Sequence, residues 1–441
     1  MRLGIVVQRY GPGVSGGAEL HARYIAQHLS RHAAVRVLTT CARDYVTWRN
    51  EFPAGADVVE GIPVERFPVA HERDPWEFGQ QSGRVFECWH SIADELRWLA
   101  VEGPFCPPLV ERLLSSRDEF DYVLFFNARY YQAVHGARTV PKQAILVPTT
   151  ERDAALGLWI LGSLFRSVRA LMYNSFEERA AIQAVSGNDH VPGVVVGVGS
   201  EIPSHVSAQR FRQKYGIADR FILYVGRIDS NKGCDELFDY FSSYAAATPH
   251  PPLLLLIGSP LLEIPRHAHI RHLGQLSDED KFDAMAAAEA LVVPSYYESL
   301  SMVALEAWAL GRPVLANARC DVLLGQCLRS NAGLYYENAG EFSAALERLL
   351  DDRGVAAALG RNGRAFYERH YDWPVIERTY LDMFAQLDAE GAVSRREPLP
   401  GWLARRRRTL PPAAEVIRRI PAGPAVERGR ERASRAGEGI S

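Results

Sequence analysis

Two short segments of the chain gather charged residues in patterns able to hold a phosphorylated ligand. In FILYVGRIDSNKGCDEL, residues 221–237, an apolar run ends at Gly226-Arg227, and a polar loop leads to Lys232-Gly233 and a helix start. Arg227 at a strand end and Lys232 in a first helical turn suit a diphosphate. The guanidinium offers a two-pronged fork and the ammonium a point charge, both beside the positive end of a helix dipole. This is not a P-loop, because Asn231 stands where a second glycine would be and no Ser or Thr follows Lys232. Taken alone, the pair around Asp229 reads more readily as a solvated surface ion pair. The second segment, AEALVVPSYYESLSMVALEAWALGRPVLAN, residues 288–317, carries Glu298 in a loop and Glu306 more than one turn into the following helix. Such spacing provides one carboxylate for ribose hydroxyls and another near a transferred group. The backbone N–H groups of Leu300, Ser301 and Met302 at the helix start can meet phosphate or sugar oxygens. The plainer alternative is that Glu298 caps the helix and Glu306 is a surface charge. Leu305, Ala307 and Trp308 around Glu306 argue against a solvated face.

A third segment, GIVVQRYGPGVSGGAE, residues 4–19, contains G-x-G-x-x-G at Gly11, Gly13 and Gly16. Two details depart from a dinucleotide fingerprint. Gln8, Arg9 and Tyr10 separate the strand from the first glycine, and the end of the next strand offers Thr39, Thr40 and Cys41 where a ribose-binding carboxylate belongs. A dehydrogenase is therefore disfavoured. What remains is that Gly16 and Gly17 allow close backbone approach to a ligand while the helix opening at Ala18 directs free N–H groups toward it.

Elements able to position these segments follow from the apolar pattern. Short apolar runs alternate with amphipathic stretches, the mark of an α/β protein with parallel sheets. One series of strands is expected at 3–7, 35–40, 64–69, 122–127, 144–148 and 170–174, and a second at 221–225, 253–257, 270–273, 290–294, 313–316 and 334–336. Helices are expected after Gly17, within 75–101 and after Ser175, where Glu178 three residues on completes a capping box. A length of 441 residues and a 47% apolar fraction allow two cores, divided near 185–205. The net charge of −3 argues against a chain built mainly to hold nucleic acid. The six cysteines form no C-x-x-C pair and read as reduced thiols. No leader-like or membrane-spanning apolar run is evident, so a cytoplasmic protein is expected. From Glu390 to Ser441 there are 12 Arg against 6 Glu amid Pro, Gly and Ala, a composition expected to stay disordered. Arg405 to Arg408 beside Trp402 and Leu403 would allow peripheral attachment to an anionic membrane face.

The E-x7-E pair Glu298 and Glu306, the GR…KG segment of Arg227 and Lys232, the GGAE loop at Gly16 and ALGRPVLA after the acidic helix together resemble the retaining glycosyltransferases of family 4, over about residues 1–389. The resemblance implies a GT-B fold of two facing Rossmann-like domains: 1–190 on the acceptor side, 203–370 for the nucleotide sugar, and 371–389 as a helix crossing back. It implies transfer of a sugar from a nucleotide diphosphate to an acceptor hydroxyl, with no metal or other cofactor, in cell-surface polysaccharide or glycoconjugate synthesis. The acceptor would be a sugar, glycan or lipid-linked molecule. Arg227 and Lys232 would neutralise the diphosphate, Glu306 would bind ribose and Glu298 would lie beside the donor sugar. The Gly16–Gly17 backbone would complete the phosphate site. Two departures stand out: Ser301 where the family often has glycine, and Glu151 in VPTTERDAAL where it usually has histidine. Near a departing diphosphate, Glu151 has to be protonated, paired with Arg152 or turned toward the acceptor. Pairing or acceptor contact is expected. The rival to an enzyme is a catalytically silent nucleotide-sugar binder or scaffold of the same fold.

Three further signals carry less. DED at 278–280 follows Ser277 and reads as first-turn acids rather than a metal site. HERD at 71–74 either lines the acceptor side or is a solvated loop. GLWILGSLF at 157–165 reads as a core helix rather than a lipid contact.

Overall fold

The computed structural model describes residues 1–395 apart from Ser15 and Ser116, and residues 413–418. The first sheet is built from β1 (Arg2–Val6), β2 (Ala34–Thr40), β3 (Gly55–Val59), β4 (Ile62–Phe67), β5 (Tyr122–Phe126), β6 (Ala144–Val147), β7 (Ala170–Tyr173) and β8 (Gly193–Val195). Their order is β3-β4-β2-β1-β5-β6-β7-β8, parallel except for the β3–β4 hairpin. The second comprises β9 (Phe221–Val225), β10 (Leu253–Ile257), β11 (Ile270–His272), β12 (Leu291–Val293), β13 (Val314–Asn317) and β14 (Gly333–Tyr336), all parallel in the order β11-β10-β9-β12-β13-β14. Strands such as Tyr122–Phe126 are buried along their whole length because helices cover both faces of a parallel sheet. In each sheet the strand order reverses at the first strand, and ligands of open α/β sheets bind beyond the carboxyl ends at that reversal. The glycine loop follows β1, the Arg227–Lys232 loop follows β9, and the Glu298 loop follows β12 beside it.

The expected strands are present with ends shifted by a residue or two, and two more appear. β3 is an exposed edge whose Glu60-Gly61 turn has positive φ at both residues, as two-residue hairpin loops favour. β8 lies inside 185–205, so part of that linking stretch belongs to the first sheet. The window 75–101 holds two helices, Pro75–Phe86 and Ile92–Glu102. GLWILGSLF enters helix Trp159–Ser167, which is buried from Ile160 to Phe165 while Trp159 is exposed.

The capping box at Ser175 needs correction. Ser175 Oγ does accept the Glu178 N–H at 3.1 Å, but the Glu178 carboxylate turns away from the Ser175 N–H to accept those of Thr150 and Asn174. Two backbone donors beyond the helix outcompete the local return bond.

Helix Trp373–Glu390 packs back on the first sheet. Its Trp373 stacks on His28 with ring centroids 3.5 Å apart, and Asp388 accepts from the Tyr122 hydroxyl at 2.6 Å. Gly197 and Gly199 run close beneath it, where a Cβ would lie 2.7 Å from Tyr371 and 2.8 Å from Trp373. One continuous buried cluster accordingly joins Leu3 and Val37 of the first sheet, Trp373 and Phe384 of this helix, and Leu223 and Trp308 of the second half. Residues 1–397 form one compact unit.

The expected tail does not begin at Glu390. That residue closes the helix and its carboxylate binds the buried Arg169 guanidinium at 2.8 Å, while Arg395 donates to the Arg169 carbonyl. In the second unit, 398–441, the described residues form the short helix Ala413–Arg418. Trp402, Leu403 and Arg405 to Arg408 lie outside the described residues. No helix among the described residues is long and apolar enough to cross a membrane.

Candidate functional site

Beyond β9, Asp229 organises the loop. Its Oδ1 accepts the Lys232 N–H at 2.8 Å and its other oxygen accepts from the Arg227 guanidinium. The Tyr224 hydroxyl donates to the Arg227 carbonyl at 2.6 Å. Gly233 is demanded by close packing: at φ 70°, a Cβ there would lie 2.1 Å from the Pro294 carbonyl oxygen at the end of β12. The β9 loop is therefore pressed onto the β12 loop, and Lys232 Nζ reaches Glu298 Oε1 at 2.8 Å. Burial works to lower the Lys232 ammonium, but Glu298 and Glu151 more than offset it, leaving it above its ordinary value.

Helix Met302–Ala309 starts one residue after Ser301, which has φ 65°. The left-handed conformation that glycine would adopt freely is thus kept by a serine whose buried Oγ has no partner. Glu306 is 2% exposed. Its Oε1 accepts from Lys281 Nζ at 3.0 Å, while its buried Oε2 is left without a hydrogen bond. Burial raises its carboxyl above the usual range and Lys281 pulls the other way. It is neither a surface charge nor open to solvent.

On the first sheet, Gly16 has φ 149°, and a Cβ there would sit 2.2 Å from Glu19 Oε2. Glu19 is fixed by Arg9, which donates to it at 2.8 Å and to the Arg43 carbonyl at 2.8 Å. Gly17 has nothing within 4 Å of its would-be Cβ, so the helix start is open there.

Glu151 lies within electrostatic reach of Lys232 and Glu298. The expected Glu151–Arg152 pair does not form: Arg152 donates instead to Asp321 of the second half at 2.6 Å. Burial raises the Glu151 carboxyl, the Lys232 charge lowers it and the Glu298 charge raises it again. In the HERD segment His71, Glu72 and Asp74 are exposed in the loop before helix Pro75–Phe86, as the solvated alternative expects, while the Arg73 side chain turns inward. Arg73 is buried against Glu102 at 2.7 Å and Asp74 caps the helix Pro75–Phe86. Within DED, Asp280 is engaged by Lys214 at 2.8 Å and by Ser277. No group of three or more His, Cys, Asp and Glu side chains among the described residues is arranged to hold a metal ion.

Residues 207–366, which contain Arg227, Lys232, Glu298 and Glu306, match the family model for glycosyl transferases group 1. This region is a group 1 glycosyltransferase domain. Over 440 residues the chain is 25% identical to glycogen synthase of Mycobacterium tuberculosis, covering 91% of this chain and 97% of that protein. It is 30% identical over 204 residues to the GDP-mannose-dependent monoacylated alpha-(1-6)-phosphatidylinositol monomannoside mannosyltransferase of Corynebacterium glutamicum, covering 40% of this chain and 53% of that protein. Among solved structures, HepE of Anabaena in complex with UDP-glucose matches with a TM-score of 0.64 at 18% identity, over 88% of this chain and 100% of that one. The fold is GT-B.

Two residues of the candidate site, Lys281 and Tyr45, have no role in the sequence pattern, and Asp229 enters it only as an ion-pair partner. Asp229 had a local signal, since an Asp three residues before a backbone N–H commonly closes such a turn. Lys281 adjoins DED, but only the fold brings it to Glu306. Tyr45 had none. Its ring lies 5.7 Å from the Arg9 guanidinium and 5.9 Å from that of Arg227, which makes it a contact between the loops of the two sheets.

Proposed function

We propose that the protein is a retaining family 4 glycosyltransferase that moves a sugar from a nucleotide diphosphate to an acceptor hydroxyl of a glycan or glycoconjugate. The observation that carries this reading is the convergence of Arg227, Lys232 and the N-terminus of helix Met302–Ala309 beyond the ends of neighbouring strands. Negative charge grows on the departing diphosphate in the transition state. Two cations and a helix terminus held in advance stabilise it without reorganisation. The acceptor hydroxyl attacks from the face the diphosphate leaves, and no side chain here serves as nucleophile. The cationic charge comes from Arg227 and Lys232 rather than a metal, so chelation of divalent ions is expected to leave turnover unchanged. Loss restored by Mg²⁺ would overturn that part.

Burial favours the neutral form of Glu151. A neutral carboxyl can stand near the diphosphate without like-charge repulsion and exchange a hydrogen bond with a sugar hydroxyl. Glu151→Gln is expected to keep donor binding and lower turnover, with Glu151→His tolerated. Unchanged turnover in the Gln variant would remove Glu151 from the reaction. The decisive experiment is a hydrolysis and transfer screen over UDP-, GDP- and ADP-sugars. A second reading, a silent nucleotide-sugar binder, is favoured by Glu151 in the usual histidine position. Nucleotide binding without turnover across the panel would select it.

A further inference from the structure

Glu178 takes no part in the steps above, yet it is 3% exposed and its charge is expensive to bury. Burial raises its carboxyl above the ordinary range, and two backbone hydrogen bonds pull back part of that shift. Those bonds go to different strand ends. Oε1 accepts the Thr150 N–H at 2.6 Å, just beyond β6, and Oε2 accepts the Asn174 N–H at 2.6 Å, just beyond β7. Helix capping does not account for them, because Ser175 already caps the helix.

Both tethered points adjoin the site. Thr150 immediately precedes Glu151, and the Asn174 side chain reaches Ser299, next to Glu298, at 3.5 Å. The residue before Thr150 is strained. Thr149 has φ 45°, a conformation that β-branched residues rarely adopt, and its buried Oγ1 has no partner. Such a turn persists only when its surroundings hold it. We propose that Glu178 is a positioning residue that clamps the Thr149–Thr150 turn and thereby aims Glu151 at the Lys232–Glu298 pair. This rests on the catalytic reading of Glu151 given above. With one backbone N–H on each oxygen, the clamp is that of the ionised form, two acceptors and no donor. Burial pushes this carboxyl up to about 8, so the assays are run at about pH 9, where that form prevails. A Gln in its place would set an N–H₂ group against one of the two backbone N–H groups.

The test is a double-mutant cycle on the full chain with the sugar donor found in the screen, reading kcat, donor KM and nucleoside diphosphate affinity. Glu178→Gln is expected to lower kcat about ten- to hundredfold with diphosphate affinity within about twofold. In the Glu151→Gln background the same change is expected to cost nothing further. Hydrogen exchange of the peptide spanning 148–153 should show slow exchange in the wild-type chain and fast exchange in Glu178→Gln, which reads the clamp without activity. Additive losses, or exchange unaffected by the substitution, would overturn the proposal while leaving Glu151 in place. If Glu151→Gln alone leaves kcat unchanged, both Glu151 and this inference fall and glycosyl transfer stands. If Glu178→Gln does not fold, fast exchange at 148–153 in the wild-type chain still overturns it and slow exchange supports it.

Discussion

Lys232 and Glu298 meet at 2.8 Å, so a diphosphate that reaches Lys232 competes with a carboxylate already paired to it. Arg227 is matched in the same way by Asp229. Arg227→Ala or Lys232→Ala is expected to weaken nucleoside diphosphate binding by about 1.5–3 kcal/mol while hardly changing nucleoside binding, because the lost contacts are charge-assisted bonds to phosphate. Equal loss for both ligands in calorimetry would argue that the cations are structural. Glu298→Gln should act in the opposite direction on binding. Removing the competitor is expected to tighten nucleoside diphosphate binding about three- to tenfold, the scale of a partly exposed ion pair, while turnover of the sugar donor falls. Weaker binding in that variant would show that Glu298 orders the site rather than competing for it. Glu306 should behave differently again, since ribose is common to nucleoside and diphosphate. Glu306→Gln is expected to weaken both alike, through the Oε2 atom that now lacks a partner. If neither ligand responds, Glu306 serves only to hold Lys281.

The glycine loop after β1 shows how an element divides its work between adjacent residues. Gly16→Ala meets both a φ of 149° and the Glu19 carboxylate, and is expected to cost about 1–3 kcal/mol in thermal unfolding. Gly17→Ala sits in the first turn of helix Gly17–Leu29 with open space beside it, so stability should hold or rise by up to about 1 kcal/mol. Lost nucleotide binding in that stable variant would put the ligand against the Gly17 backbone, and unchanged binding would keep it away. What the sequence makes legible follows the same division between local and tertiary causes. Strands such as Leu253–Ile257 announce themselves because both faces are buried, whereas β3, with Val58 66% exposed, has no apolar run to read. Arg227, Lys232 and Glu298 are legible because each follows a readable strand. Glu178 was misread because its i→i+3 spacing to Ser175 imitates a local box, while its carboxylate goes to Thr150, 28 residues away, and to Asn174, just before the helix cap. The expected Glu151–Arg152 pair failed for a related reason: neighbours in an extended turn point apart, and Arg152 finds Asp321 of the other half.

At the scale of the molecule, the two halves are tied by side chains from helix Gly17–Leu29. His28 lies between Glu377 of the returning helix at 2.6 Å and Glu201 of the linking segment at 2.7 Å. Two helical turns away, His21 is 3% exposed, packed edge-on to Phe126 with centroids 5.1 Å apart, and its Nε2 has no partner. Burial alone depresses it, to about 3. His135 is depressed to about 4, first by burial and then by the Arg138 charge. The unfolded chain binds a proton at each site near pH 6.5, and the folded chain does so only well below that. As the pH falls from about 6.5, the unfolded state therefore holds more protons than the folded one, and stability drops with pH. The slope contributed by His21 is about 1.4 kcal/mol per pH unit, continuing to about pH 3, with His135 adding to it down to about pH 4. His21→Leu removes both the titration and the orphaned Nε2. Thermal midpoints at pH 7 and pH 5 are expected to differ clearly in the wild-type chain and less in the Leu variant, which should also be the more stable at pH 5. If the two chains lose the same amount between those values, His21 accepts its proton in the folded state, and the helix it belongs to opens more readily than its burial implies.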